Sequence, residues 1–421
     1  MFDRGTANLR QAFANRDFAR FTAGNAVSLV GMWGLRIAVG WLAWELTASA
    51  LWVGLVAFAD LFPTIVVTPF AGAVADRRSR LRIVRVTQAI SVVLVATLAL
   101  LTALELMTIE LLALIVLANG VTMGFKQPSR MALTRALVRA DDLPTAIAIN
   151  AIVFNLARFV GPSLAGGVIV GVGVEAVFVI DALTSLWFLA LIRGLHLEPP
   201  APTAGRRGGL LSDIAHGVRY AAGHPGIGPI MLLLVITGVA MRGYIELLPV
   251  YSAEVLSRGA DGLAMLSAGI GVGAILAALY LAQRASAVGL TRLAVGGHVA
   301  AGASLLVLAL APTLATALAA VVMSGFAIAT TGVASQTLTQ RVVAEAVLGR
   351  VMSLYGIIFR AGPATGALLM GATADLTGLR TPLVAGAVIT LVACALLGGR
   401  LLAARGVLEA GAAAPPPRGA D

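Results

Sequence analysis

Twelve apolar runs, most of them twenty residues or longer, follow one another along nearly the whole of this sequence. A bilayer core of about 30 Å is crossed by about 20 apolar helical residues. Inside lipid a backbone must satisfy its own hydrogen bonds, which a helix does within one segment. The runs extend from Phe18 to Leu46, Ala50 to Val74, Ile83 to Leu104, Ile109 to Phe125, Leu143 to Val172 and Val174 to Leu195. A second set extends from Ile227 to Ala253, Leu263 to Gln283, Val288 to Leu310, Thr313 to Thr337, Val347 to Asp375 and Thr381 to Ala403. This spacing predicts an all-α membrane protein with twelve transmembrane helices. Composition excludes the alternatives: 59% of residues are apolar and 12% are charged, against about 25% charged in a soluble domain. So apolar a chain buries enough surface to offset its ordering entropy and is not disordered.

The longest polar stretch, rich in proline and carrying Arg206 and Arg207, separates the two sets of six. The expected organisation is an N-terminal six-helix half (residues 1–195), a cytoplasmic linker (196–228), a C-terminal six-helix half (229–404) and a disordered tail (405–421). Within the linker Leu210, Leu211, Ile214 and Val218 share one helical face, opposite Asp213, His216 and Arg219, which predicts an amphipathic helix lying along the membrane surface. Outside the spans, every Lys and Arg except Arg258 and Arg380 falls on the side that holds both termini. Under the positive-inside rule that side is cytoplasmic. The net charge of +10 is spread over short loops rather than gathered on one module, so nucleic acid is not an expected partner. The single cysteine, Cys394, excludes an intrachain disulfide and a cysteine metal cluster.

A repeat supports the halving. Arg158, Gly161, Pro162 and Gly166 in the fifth run correspond to Arg360, Gly362, Pro363 and Gly366 in the eleventh, as expected for two parallel six-helix pseudo-repeats with a path between them. After the second run the chain reads Gly72, Ala73, Val74, Ala75, Asp76, Arg77, Arg78, Ser79, Arg80. This resembles the signature loop of the major facilitator superfamily, with Ser79 in place of its second glycine. The resemblance implies a gating motif of Gly72, Asp76, Arg77 and Arg80, in which Asp76 faces the N-terminal end of the eleventh span. Further resembling stretches are Gly24 to Thr47, Pro63 to Arg80, the run Gln127, Pro128, Ser129, Arg130, then Asn150 to Gly167 and Gly349 to Gly378. Together they are similar to the bacterial branch containing enterobactin-type siderophore exporters and drug-efflux proteins. That likeness implies proton-driven export, and implies for Gly161, Pro162 and Gly166 a degenerate antiporter motif. Small residues permit close helix approach and proline leaves a carbonyl unpaired, so these residues, with Gly362 and Pro363, are candidate hinges or plain packing contacts.

Charges inside spans are the most informative residues, since each costs roughly 2.5 kcal/mol or more at the bilayer centre and should face water or a partner. Asp60, Glu246 and Asp181 are the proton-coupling candidates, and Arg36, Arg158, Arg242 and Arg360 their candidate partners. Arg36 and Asp60 are expected at similar depth. Arg242 and Glu246 stand four residues apart, which on an α-helix puts both on one face. Asn25, Asn119 and Asn155 are expected along the substrate path, and Asp375 at the outer end of its span as a cap. His298, deep in its span, is more simply read as packed. No Gly-Lys pair occurs, which excludes a phosphate-binding P-loop. Gly269, Gly271 and Ala274 imitate a dinucleotide fingerprint inside a span with no strand before it.

The expected function is therefore not enzymatic. It is secondary active efflux of a small amphipathic compound such as a drug or siderophore, in exchange for protons, by a cofactor-free monomer. The site is a bacterial cytoplasmic membrane that the chain crosses many times, with both termini in the cytoplasm. An importer or facilitator of a small solute is the alternative within transport, and a non-transporting membrane sensor the alternative from another class.

Overall fold

The computed structural model describes residues 15–77, 79–195, 210–284, 286 and 288–410. Its long elements are α1 (Arg16–Thr47), α2 (Ala50–Arg77), α3 (Arg80–Ala103), α4 (Ile109–Leu137), α5 (Leu143–Gly171) and α6 (Val174–Arg193). They continue with α7 (Leu210–Gly223), α8 (Ile227–Ala240), α9 (Ala260–Ala282), α10 (Leu290–Leu310), α11 (Leu314–Val342), α12 (Glu345–Thr377), α13 (Arg380–Ala403) and α14 (Arg405–Ala410). Among the described residues 12 helical segments are long and apolar enough to cross a membrane. The helix α7 falls in the linker, although the side chains of residues 210–214, which carry most of its expected apolar face, lie outside the described residues.

The helix ends follow local chemistry. Asn15 Oδ1 accepts the N–H groups of Asp17 (2.9 Å) and Phe18 (3.2 Å) to start α1, and its amide donates to the Leu137 carbonyl at the end of α4 (2.8 Å). Thr108 caps α4, and Thr313 with Thr316 forms a capping box on α11. Arg85 of α3 donates to the carbonyls of Ile192, Arg193 and Leu195, satisfying the C-terminal end of α6. This guanidinium therefore joins two helices, beyond marking a cytoplasmic loop.

By its contacts the chain forms two compact units, residues 1–48 with 59–206, and residues 49–58 with 207–421. In the first, α1 packs on α5 and α6, and α3 on α4 and α6. In the second, α11 packs on α9 and α10, and α12 and α13 pack on α8. The first turns of α2 belong to the second unit: Ser49 Oγ and the Ala50 N–H both donate to the Asp375 carboxylate (2.5 and 2.7 Å), so Asp375 caps the start of α2.

Two expectations are corrected. The run Ile227 to Ala253 is not one helix: α8 stops at Ala240, Arg242–Ile245 is a 3₁₀ turn, and a short α turn at 248–250 passes into a π turn at Tyr251–Val255. Pro249 removes one backbone donor and crowds the carbonyl four residues earlier, while Gly243 presses against the backbone of Gly366 and Ala367 with no room for a Cβ. Tyr244 Oη donates to Ser324 Oγ (2.6 Å) and Tyr251 Oη to the Leu308 carbonyl (2.7 Å), anchoring the broken segment. Second, the tail is helical from Arg405 to Ala410. Leu408 is fully buried against Gly226, and Glu409 accepts the N–H groups of Gly289 (2.9 Å) and Thr291 (3.0 Å) at the start of α10. The remaining tail residues, 411–421, lie outside the described residues.

Candidate functional site

The apolar run read as ending at Phe125 continues as helix for twelve more residues, so Lys126 and Arg130 are not loop charges. Both are buried in the first unit, at 5% and 6% exposure, with Asp181 of α6 at 3%. Lys126 Nζ donates to Ser91 Oγ (2.9 Å), which makes a long hydrogen bond to Asn119 Oδ1 (3.5 Å). Arg130 donates to the side-chain and backbone oxygens of Asn25, and its guanidinium lies 5.1 Å from the Phe188 ring centre. Asp181 and Lys126 lie within electrostatic reach of one another, as do Lys126 and Arg130. Asp181 fits because Gly31 has no Cβ: one added there would overlap Asp181 Oδ1 and Thr184 Oγ1. Asp181 Oδ1 is buried without a hydrogen-bond partner among the described residues. Four helices thus supply one carboxylate, two cations and several polar groups to a single buried cluster. Burying such charges is costly unless they compensate one another.

A second arrangement in this unit gathers the candidate cations Arg36 and Arg158. Their guanidiniums lie 5.8 and 5.4 Å from the centre of the Trp33 ring, within cation–π range. Phe154 meets the same ring edge-on at 5.7 Å. Both arginines and both rings are half-buried. The close approach of α1 and α5 beneath them depends on Gly161, whose Cβ position meets the Val30 carbonyl and Trp33 Cβ. In the second unit Gly362 meets the backbone of Gly238 in the same way. The Gly-Pro pairs Gly161–Pro162 and Gly362–Pro363 are buried in both units, as is Gly166.

In the second unit Arg242 stacks on Phe359, 4.0 Å from its ring centre, and Phe359 stacks on Tyr355 at 6.0 Å. Glu246 caps the 3₁₀ turn that Arg242 begins. The backbone from Arg242 to Ile245 is thus a 3₁₀ turn rather than the α-helix expected there. Arg360 is half-buried on α12. His298 is buried, its Nδ1 2.8 Å from the Ala294 carbonyl.

The remaining sequence candidates are dispersed. The backbone of Asp60 packs against Gly120 of α4, and its side chain is half-buried. Asn25 is held inside the bundle by Arg130, Asn119 joins the Ser91 link, and Asn155 is exposed and turned back to the Ala151 carbonyl (2.8 Å). Of the gating motif, Arg80 opens α3; the side chains of Gly72, Asp76 and Arg77 lie outside the described residues. Lys126 and Arg130 are what sequence reasoning missed. The available signal was that this one lysine sits directly after an apolar run, three and four residues from further helix-compatible polar residues.

Comparison with known proteins fixes the family. The family described as transmembrane secretion effector matches residues 9–412. The chain belongs to this family, within the major facilitator superfamily. The multidrug efflux pump Tap of Mycolicibacterium fortuitum is 27% identical over 383 residues, covering 87% of this chain and 90% of that protein. The enterobactin exporter EntS of Salmonella typhimurium is 28% identical over 387 residues, covering 89% and 86%. The staphyloferrin A transporter of Staphylococcus aureus is 24% identical over 277 residues, covering 65% and 68%. Among solved structures, the nucleoside transporter NupG superposes with a TM-score of 0.70 at 14% identity, covering 91% of this chain and 98% of that one. A POT family transporter in complex with 5-aminolevulinic acid gives 0.71 at 10% identity, covering 94% and 97%. The fold is that of two six-helix halves, and the chain is a multi-pass membrane transporter of small molecules, not an enzyme.

Proposed function

We propose that the protein exports a small amphipathic organic compound across a bacterial cytoplasmic membrane by alternating access, exchanging it for protons, as a monomer with both termini in the cytoplasm. The observation that carries this reading is the cluster of Asp181, Lys126 and Arg130 buried inside apolar helices of a chain related over nearly its full length to exporters. A carboxylate whose surroundings change between two conformations binds a proton in one and releases it in the other. Asp60 and Glu246 remain candidates for the same task, while the Gly-Pro pairs supply close, pivoting contacts within each unit. The two guanidiniums over Trp33 favour an anionic cargo with an apolar face over a lipophilic cation.

The test uses purified protein in liposomes with an imposed pH gradient, loaded in parallel with ethidium and with a tricatecholate siderophore. Export of either probe with proton counterflow supports the reading, and Arg158→Gln is expected to slow tricatecholate more than ethidium. Proton-driven accumulation in the opposite sense, or no flux of any solute under either gradient, overturns it.

A further inference from the structure

We infer that Asp181 and Lys126 form the proton-carrying centre of the first six-helix unit, with Asp181 Oδ1 the atom that takes the proton. The inference rests on the export reading above and names its coupling site. Three observations converge on this atom. It is buried with no hydrogen-bond partner among the described residues, so its lone pair is open to a proton. It lies within electrostatic reach of an ammonium on a different helix, α4. That ammonium is tied to a third helix, α3, through Ser91 and onward to Asn119, so its position and the proton's are linked.

The helices packed on α6 are α1, α3 and, less extensively, α5, while α4 brings the ammonium within electrostatic reach of Asp181. On α1, Gly31 faces Asp181 directly; on α3, Gln88 donates its amide to the Ser185 carbonyl one turn along α6 (3.2 Å), and Ser91 accepts from Lys126. On α4, Lys126 is the charge that reaches Asp181, and Arg130 in turn reaches Lys126; the charged residue of α5, Arg158, lies over Trp33. The charge balance gives the cluster two settings. With Asp181 ionised, one negative charge offsets part of two positive ones. Protonation forms one O–H bond on Oδ1 at the expense of a hydronium ion, leaves water behind, and raises the cluster charge by one. Lys126 and Arg130 then repel one another inside apolar surroundings, where such repulsion is weakly screened, and the strain falls on the contacts among α3, α4 and α6.

The test needs no cargo. Infrared difference spectra of the full-length protein in lipid, taken as pH is varied, report the carbonyl stretch of any carboxylic acid that titrates. The wild type is expected to show such a band, Asp181→Asn to lose it, and Asp181→Glu to retain it at an altered frequency. Lys126→Gln is expected to move its midpoint to higher pH, because a carboxylate deprived of a neighbouring ammonium holds its proton more tightly. Asp60→Asn and Glu246→Gln should leave the band in place. A band that persists in Asp181→Asn, or vanishes in Asp60→Asn or Glu246→Gln, overturns the assignment. Should Asp181→Asn not yield folded protein, the Lys126→Gln midpoint decides, and an unchanged midpoint overturns it. The liposome assay separates the two claims. Proton-coupled export retained in Asp181→Asn refutes the site alone, whereas a wild type that shows the band but moves no probe refutes the export reading alone.

Discussion

The Glu409 carboxylate offers a quantitative test of how the C-terminal helix α14 is held. It accepts two backbone N–H groups at the start of α10, 2.9 Å from Gly289 N and 3.0 Å from Thr291 N, where the helix leaves donors unpaired and its dipole favours negative charge. Removing a helix cap costs about 1 kcal/mol, and the partial exposure of Glu409 keeps the figure at that level rather than above it. Tenfold corresponds to about 1.4 kcal/mol, so Glu409→Ala should speed amide exchange in the first turn of α10 by about five-fold at pH 7. The pH dependence follows from the carboxyl itself. Slight burial pushes Glu409 up, but the hydrogen bonds from Gly289 and Thr291 and the nearby Arg405 outweigh it and hold the group below its ordinary 4.5. The unfolded chain therefore takes up protons first as pH falls. The contribution is complete above the ordinary value and disappears as pH drops through the lower folded one. Hydrogen-exchange mass spectrometry on a peptide spanning residues 286–296, comparing wild type, Glu409→Gln and Glu409→Ala, measures both effects. Equal exchange in all three at pH 7, or a difference that does not shrink on acidification, refutes the argument.

Three further outcomes are expected. His224 Nδ1 accepts the N–H groups of Gly226 (3.1 Å) and Ile227 (3.2 Å), and burial holds the ring below its ordinary 6.5; protection at the start of α8 should fall as pH drops below that value, and His224→Asn should remove this dependence. Gly325 faces the Ile270 backbone where α9 crosses α11, while Gly296 has open space. Thus Gly325→Ala should cost about 1–3 kcal/mol by overpacking, and Gly296→Ala should be neutral or stabilising, as read by thermal unfolding in detergent. Replacing Arg85 with Gln, which leaves the carbonyls of Ile192, Arg193 and Leu195 short of donors, should loosen the end of α6 selectively, seen as faster exchange from Leu189 to Leu195 with the rest of the first unit unaffected.

The helices were legible wherever hydropathy and geometry agree. It failed where a run of apolar residues conceals a local break, as at Gly243 and Pro249, because hydropathy sums side chains and is blind to a missing backbone donor or a close backbone contact. It failed in the opposite sense at Lys126 and Arg130. Polar residues after Phe125 look like a loop to any window of hydropathy, yet α4 continues because groups on α1, α3 and α6 compensate these charges. Leu408 and Glu409 carry no periodic signal, since six residues are too few for one, and their docking appears only against α8 and α10.

The sequence alone determined that this chain crosses a membrane twelve times in two related halves, and its motifs pointed to a transporter, because lipid admits few backbone solutions and the length of each apolar run fixes the count. Which charges meet was decided by tertiary packing. Asp181, Lys126 and Asn25 are far apart in the chain, and neither periodicity nor spacing along one helix relates them. Gly31 lets Asp181 of α6 lie against α1, Lys126 of α4 comes within its electrostatic reach, and Arg130 of the same helix α4 binds Asn25 of α1.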